Sequence, residues 1–476
     1  MKIYIFLLLS YISCSSLDLK NSQEEISFEP PNVRIERFPE TFNLKAKGTV
    51  RCVEQTCNPT ETKPEKLKTL LKHGKWEEYI EKELPNGKKQ SFLYKVGQYT
   101  DNLRTGIWEE YSIKEETQSN YLYTILDRMG RYENGKKEGI WEFYYDEGPN
   151  VKKGKLLRKT NYKNDLKEGQ ELRYSKEGIV IEESNYKNDL LEGRYIKKTN
   201  TGEIEKEGQY SQDKKTGEWR EYQFYEPQKK MVLRSITNYL DDKRHGLQIL
   251  YTEDGKYKRA EGNFANGLEI GLWKYFYDNG NIQLEGNFRP VEFIDPEEVP
   301  TKDKSDKPKA RRMGTWKKYY KSGTLFAEGN MDGKPVGEWK YYHKNKNLAA
   351  RGIMKNEFMM EQGSLYDIGG NLMAEGKFMI SMVKLNEKTD ELELTYKPTV
   401  PFVFYKNGVK YLELTSEVED GKNIALLFEG GTQVGRGPID IMTQKKNGCW
   451  TINGKKIYYM MDKVVTGPLA KMQKCE

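Results

Sequence analysis

Five cysteines and three histidines have the most chemistry to offer in this chain, and their spacing decides against most of it. A zinc site needs three or four imidazole or thiolate ligands brought to one point. His73, His245 and His343 stand far apart, and the cysteine spacing fits no finger or ribbon, so neither a metal nor any other cofactor is expected. Glu419, Glu429 and Asp440 have no neighbours that would make an acid–base or nucleophilic pair of them, so the chain reads as non-enzymatic. What is left to the cysteines is export chemistry. Setting aside Cys14, which ends a short apolar run, leaves an even number, Cys52, Cys57, Cys449 and Cys475, two toward each end. Cys52 and Cys57 enclose a tight loop, and a disulfide between Cys449 and Cys475 would staple the last strand; four free thiols are the alternative.

The elements that must position any site are set by the tryptophans. All 8 lie two residues after a glycine. Seven of them, Trp76, Trp108, Trp141, Trp219, Trp273, Trp316 and Trp339, have an aromatic three residues further on, while Trp450 lacks it and stands apart. A second landmark of the type Glu-Gly-Asn-Phe recurs between them, as at Gly97, Gly130, Gly208, Gly262, Gly286, Gly329, Gly352 and Gly376, with weaker copies at Asn161, Asn185 and Asn238. Together they mark about eleven units of an array in which each unit buries its apolar face on its neighbours.

Within the unit from Gly271 to Phe288, Asn279-Gly280 is a strong two-residue hairpin signal, since both turn positions then take positive φ. Folding about that turn places Trp273 opposite Gly286, Lys274 opposite Glu285 and Tyr277 opposite Ile282. The turn Ser322-Gly323 likewise places Trp316 opposite Gly329 and Lys317 opposite Glu328. An indole laid across the glycine of its own hairpin would cover the bare backbone there, with Lys/Glu pairs on the other face. The polar connections, such as Asn164-Asp165 and Asn266-Gly267, link hairpin to hairpin, so the fold class is all-β: a repeat array of antiparallel β-hairpins forming a long twisted meander sheet, plus a small C-terminal β domain. At about 4.8 Å per strand such a sheet would run roughly 100 Å and must twist or coil. Whether Trp273 and Phe276 sit on opposite faces or a bulge brings them together is open at this point.

These motifs resemble the MORN-repeat family, and more closely its bacterial variant with Gly-x-Trp-x-x-Tyr and Glu-Gly-x-Phe elements, over residues 74 to 380. The resemblance implies a hairpin array used for protein or membrane contact, and no catalytic residues.

The ends add an address. Met1-Lys2, an apolar run from Ile3 to Ile12 and Ser13-Cys14 read as a signal peptide closing on a lipobox, with Tyr11 where leucine is usual, as in the relaxed lipoboxes that resemble those of spirochaete lipoproteins. The run is too short to span a bilayer as a helix. A plainly cleaved signal peptide is the second reading, a cytosolic protein the third. Residues 1 to 14 are thus a lipoprotein signal peptide, 15 to 73 a tether and lead-in with a short helix expected over Pro64 to Lys72, 74 to 380 the repeats, and 381 to 476 the C-terminal domain. The stretch Arg289 to Met313 reads as a solvated loop between two units.

A net charge of +7, with both signs interleaved among 32% charged residues, makes a solvated surface and not a nucleic-acid stripe. The glycines sit at turns and form no phosphate loop. The expectation is an exported protein, held to the cell membrane or outer membrane through lipid on Cys14, whose array is a scaffold for a protein partner or membrane surface. Glycan or cell-wall binding through exposed Tyr and Trp rows is the alternative, prompted by 33 tyrosines.

Overall fold

The structure is a computed structural model that describes residues 25–29, 33–52, 70–84, 86–116, 121–291, 309–355, 359–385, 392–465 and Cys475. Among the described residues every regular element is a strand except one 3-10 turn, Glu226–Gln228. Two compact units divide between Glu203 and Ile204.

In the first unit the strands from Glu25–Glu29 to Gly193–Lys198 pair antiparallel with their sequence neighbours. Its core is small and aromatic, built on Trp76, Tyr99, Trp108, Tyr132, Trp141 and Phe143. Of the short helix expected over Pro64 to Lys72, residues 64–69 lie outside the described residues, and its last three are strand: Leu70, Leu71 and Lys72 open the strand Leu70–Glu83 and pair with Cys52, Arg51 and Val50. A partner strand satisfies that backbone more completely than a helical turn with no apolar stripe would.

The second unit continues the same pairing from Ile204–Ser211 to Lys463–Val464. Arg289, Pro290 and Val291 pair with Arg311, Ala310 and Lys309, so both ends of the expected loop are strand; 292–308 lie outside the described residues. Thr399 to Tyr405 and Asn423 to Phe428 fall inside strands, as their residues suggest. Leu372–Leu385 pairs with Leu392–Lys406 along its length, and one core cluster runs from Tyr320 through Phe378 and Phe402 to Trp450.

The hairpin register is the expected one, reached differently. Trp273 faces Gly286 and Lys274 faces Glu285; Trp316 faces Gly329 and Lys317 faces Glu328. The loop, however, has three residues: Tyr277 donates its N–H to Asn281 O (2.8 Å), Gly280 donates to Tyr277 O (3.0 Å), and among the loop residues only Gly280 has positive φ (86°). Ile282 therefore pairs with Phe276, not Tyr277, and Gln283 is an extra residue in its strand. The longer loop and the bulge cancel, which restores the register at Trp273. Two-residue turns with both residues left-handed occur instead at the connections, such as Asn164 (53°) with Asp165 (74°).

Candidate interaction surface

Each Gly-x-Trp occupies a wide bulge. Gly271, Leu272 and Trp273 together oppose the single residue Gly262, and Gly106 to Trp108 oppose Gly97. Gly271 supplies the positive φ (62°) that the bulge needs. The detour throws the indole back over the earlier strand. A Cβ placed on Gly262 falls inside the Trp273 ring, and one on Gly286 falls inside that of Trp316. The expectation that each indole covers the glycine of its own hairpin is thus corrected: Trp273 pairs with Gly286 along the backbone, but its ring lies on Gly262 of the preceding unit. Gly329 is likewise the seat of Trp339. Each ring also donates Nε1–H to the carbonyl one residue past its glycine, as from Trp108 to Gln98 (3.0 Å), Trp141 to Arg131 (3.1 Å), Trp219 to Gln209 (3.1 Å) and Trp273 to Asn263 (3.2 Å). Trp76 does this on Gly48 and Thr49, so the lead-in segment supplies the first seat. Trp450 does it on Gly437 and Pro438, so this tryptophan makes the same contact as the others.

The second landmark completes the row. In the first unit Trp76, Tyr99, Trp108, Tyr132, Trp141 and Tyr162 alternate edge to face, with centroids 6.1, 5.0, 6.1, 5.1 and 6.3 Å apart. Over it lie cations from two residues before the glycine: Lys72 over Trp76 (4.3 Å), Arg104 over Trp108 (4.6 Å) and Lys137 over Trp141 (4.8 Å); in the second unit Lys215 lies likewise over Trp219 (4.4 Å). Such contacts contribute about 0.5 to 2 kcal/mol each. The period of this cation is visible in the chain and was missed, because a lysine before a turn reads as a solvated charge. The same residues are stitched to the next connection: Lys137 N–H donates to Asp165 Oδ1 (2.8 Å), and Asp165 N–H donates to Lys137 O (3.1 Å). At the hairpin tips, Tyr277 donates its hydroxyl to Tyr319 O (2.7 Å) and Tyr320 to Tyr342 O (2.6 Å). Successive hairpins are joined at both ends.

The opposite face carries the third aromatic of the motif. Tyr79, Tyr111 and Tyr144 donate their hydroxyls to Glu77 (2.7 Å), Glu109 (2.6 Å) and Glu142 (2.6 Å), two residues back and so on the same face. Both faces therefore hold aromatics. Burial and the adjoining carboxylate raise these hydroxyls above their usual range. Burial works to raise Glu77, but the Tyr79 hydroxyl and Lys47 more than offset it and hold the carboxyl low. In the second unit this face bears a register-matched row of alternating sign, Glu261, Lys274, Glu285, Lys317, Glu328 and Lys340.

Three units between Trp141 and Trp273 replace the indole. Glu171 stands in its place opposite Thr160, which stands where glycine would be and donates its hydroxyl to the carboxylate (2.8 Å); both are buried. Gln248 and Thr237 repeat the exchange with an amide (3.0 Å). In the third unit Tyr195 takes the place of the indole and Ser184 that of the glycine, and the Ser184 hydroxyl is buried without a partner.

The repeat signature, with its glycine, its indole or the replacement and the following landmark or its weaker copy, matches the family described as MORN repeat variant at residues 167–188, 269–289, 314–332 and 335–356. Those four segments of the array are similar to MORN repeat variants. No curated protein matches the chain. Among solved structures, a Photorhabdus luminescens Tc holotoxin pore in a TccC3 mutant form aligns over 91% of this chain and 28% of that chain, at 9% identity and a TM-score of 0.15. A crystal structure of TcdB2-TccC3-TEV aligns over 92% and 27%, again at 9% identity and a TM-score of 0.15. This chain spans under a third of the length of either, and likeness at that score carries no argument.

The array uses its tryptophans internally. The seven of the full motif are at most 4% exposed. Exposed Trp rows for a sugar to stack on, as the glycan alternative requires, are thus corrected: the rings are covered by glycine backbone, flanking aromatics and cations. The side chains that do reach solvent are those between glycine and tryptophan, including Ile107 (54% exposed), Ile140 (61%) and Leu272 (47%). Cys449 and Cys475 are joined in a disulfide, with Cα atoms 5.4 Å apart. Cys14, Cys57 and the Cys52 side chain lie outside the described residues. Among the described residues no group of His, Cys, Asp and Glu is placed to hold a metal ion.

Proposed function

We propose that this chain is a lipid-anchored envelope protein whose MORN array is a non-enzymatic scaffold for protein or membrane-surface contact. One observation carries the reading: the Trp-on-Gly contact is the same wherever the tryptophan occurs, while the solvent-facing residue inside the same motif changes freely, from Lys75 to Ile107, Ile140, Glu218, Leu272 and Thr315. A constant frame under a variable surface suits recognition. Exposed apolar groups such as Ile107 and Ile140 add contact area that a merely solvated surface does not need. Lipid on Cys14 would hold the array at the membrane, and the lack of an acid–base or nucleophilic constellation in the sequence supports a binding role.

The test is site-specific photo-crosslinking in cells at Ile107, Ile140 and Leu272, with mass spectrometry of the adducts. The expected result is one recurrent protein or lipid adduct that is lost when Cys14→Ser releases the chain from the membrane. Cross-links to carbohydrate alone would favour the glycan alternative, and no adduct at any position would overturn the scaffold reading.

A further inference from the structure

On the Trp-bearing face of the first unit, a second row runs beside the indoles, two residues past each. In the second unit the same register is mostly apolar, passing through Ala260, Tyr275, Leu284, Lys318, Ala327 and Tyr341. The fold therefore does not require charge there. In the first unit the row reads Glu78, Lys95, Glu110, Arg128, Phe143, Arg158, Arg173 and Glu182, strand by strand.

The first half of that row is internally satisfied. Glu110 is buried and holds Arg128 (2.6 Å), with Lys95 at 3.6 Å. The second half is paired only by the longer contacts. Arg158 and Arg173 face each other directly on adjacent strands, a like-charge pairing that disfavours the sheet. Each has an acid at long ion-pair distance: Glu171 is 3.6 Å from Arg158 and lies closer to Lys167 (2.9 Å), while Glu182 is 3.7 Å from Arg173. The Arg158 guanidinium lies 3.9 Å above the Phe143 ring, which fixes its position. The side chain of Arg173 is 48% exposed and that of Arg158 24%, so both can be reached.

We propose that Arg158 and Arg173, beside Phe143, form a docking site for an extended acidic segment of a partner protein, whose carboxylates accept the two guanidinium forks. Two in-register guanidiniums whose own acids stand at 3.6 and 3.7 Å, one of them held over a ring, can accept further carboxylates through their remaining N–H groups. The acids in the same row, Glu110 and Glu182, favour a peptide over a uniform polyanion. A polymer charged at every unit would meet them, whereas a peptide can set its carboxylates opposite the arginines alone. This rests on the scaffold reading and names the chemistry of its partner.

The probe is a labelled decapeptide of alternating glutamate and threonine, titrated into the full chain by fluorescence anisotropy, with an alternating lysine–threonine decapeptide as its counterpart. The wild type is expected to bind the acidic peptide and not the basic one, with affinity falling as salt rises. Arg158→Glu with Arg173→Glu should weaken the acidic peptide by at least about tenfold and transfer the preference to the basic one. Arg158→Leu with Arg173→Leu, residues of a kind this register accepts elsewhere, should keep the fold by circular dichroism and lose the binding. Equal binding of both peptides, binding unchanged in the reversed variant, or binding only to phosphatidylglycerol vesicles would overturn the proposal. If the acidic peptide fails while the cellular cross-links persist, this site alone falls; if both fail, the scaffold reading falls with it.

Discussion

The indole of Trp316 rests on Gly286, a residue of the preceding hairpin, and donates its N–H to Asn287 O at 3.2 Å. The backbone partner of Gly286 is a different tryptophan, Trp273. Gly286→Val should therefore displace Trp316 and leave Trp273 seated on Gly262. The expected cost is about 1 to 3 kcal/mol from overpacking. Urea unfolding of Gly286→Val in Trp273→Phe and Trp316→Phe backgrounds checks this: the added cost should largely vanish in the second and persist in the first.

Thr160 and Glu171 make a polar version of the same contact, and the two residue types belong together. Glu171→Trp alone should clash with the Thr160 side chain and strand Lys167 and Arg158. Thr160→Gly alone removes the hydroxyl bonded to a buried carboxylate, costing about 1 to 3 kcal/mol. The double variant rebuilds the contact found at Gly262 and Trp273, so a double-mutant cycle should give a favourable coupling of at least about 1 kcal/mol. Additive losses would show that the pair is not interchangeable as a unit.

Alkaline pH should loosen the array. The hydroxyls of Tyr79, Tyr111, Tyr144 and Tyr319 are raised first by burial and then by their glutamate partners, and those of Tyr342 and Tyr405 are pushed up to about 12, against an ordinary value of 10. A pKa raised by folding means that the folded chain keeps protons the unfolded chain would release. That stability is complete below about pH 10 and declines as pH rises through the folded values. Tyrosinate absorbance and the dichroism of the strands should change together above pH 10, and Tyr111→Phe should shift the transition.

Removing the disulfide by Cys475→Ser should destabilise the last strands. Closing a loop between residues 26 apart contributes about 3 kcal/mol by restricting the unfolded chain. Protein made in an oxidising compartment should show no free thiol at Cys449 or Cys475 on peptide mapping, and reduction should lower the midpoint of unfolding without changing that of Gly286→Val relative to wild type, since the two sites are far apart in sequence and share no contact partner.

Lipidation is read out separately. Labelled palmitate should enter the wild-type chain and not Cys14→Ser, and a mature N-terminus elsewhere than residue 14 would remove the anchor.

Much of this fold was legible because period two, turn residues and the Gly-x-Trp spacing each report the backbone directly. The pairs Lys274 with Glu285 and Lys317 with Glu328 follow from register alone. The seat of each indole did not follow, because register says which residues face each other across one ladder and nothing about a bulge on the other side of the strand. Gly271 carries that information in its φ, which a glycine in the sequence permits but does not announce. The Arg158 and Arg173 pairing was illegible for another reason: the charges lie 15 positions apart and meet only through the bulge between Lys167 and Glu171.

Because every tryptophan is seated on its predecessor, the hairpin that looks like the repeat is not the piece that can be moved. A cut at a connection parts an indole from its glycine and leaves two damaged faces. A cut at a hairpin tip, as between Asn279 and Gly280, keeps each ring with its seat, so duplication, deletion or grafting of units should join at tips. In exchange, each tip-to-tip segment brings its own turn and its own contact across it, and the array could change length in evolution or by design without parting any of those contacts.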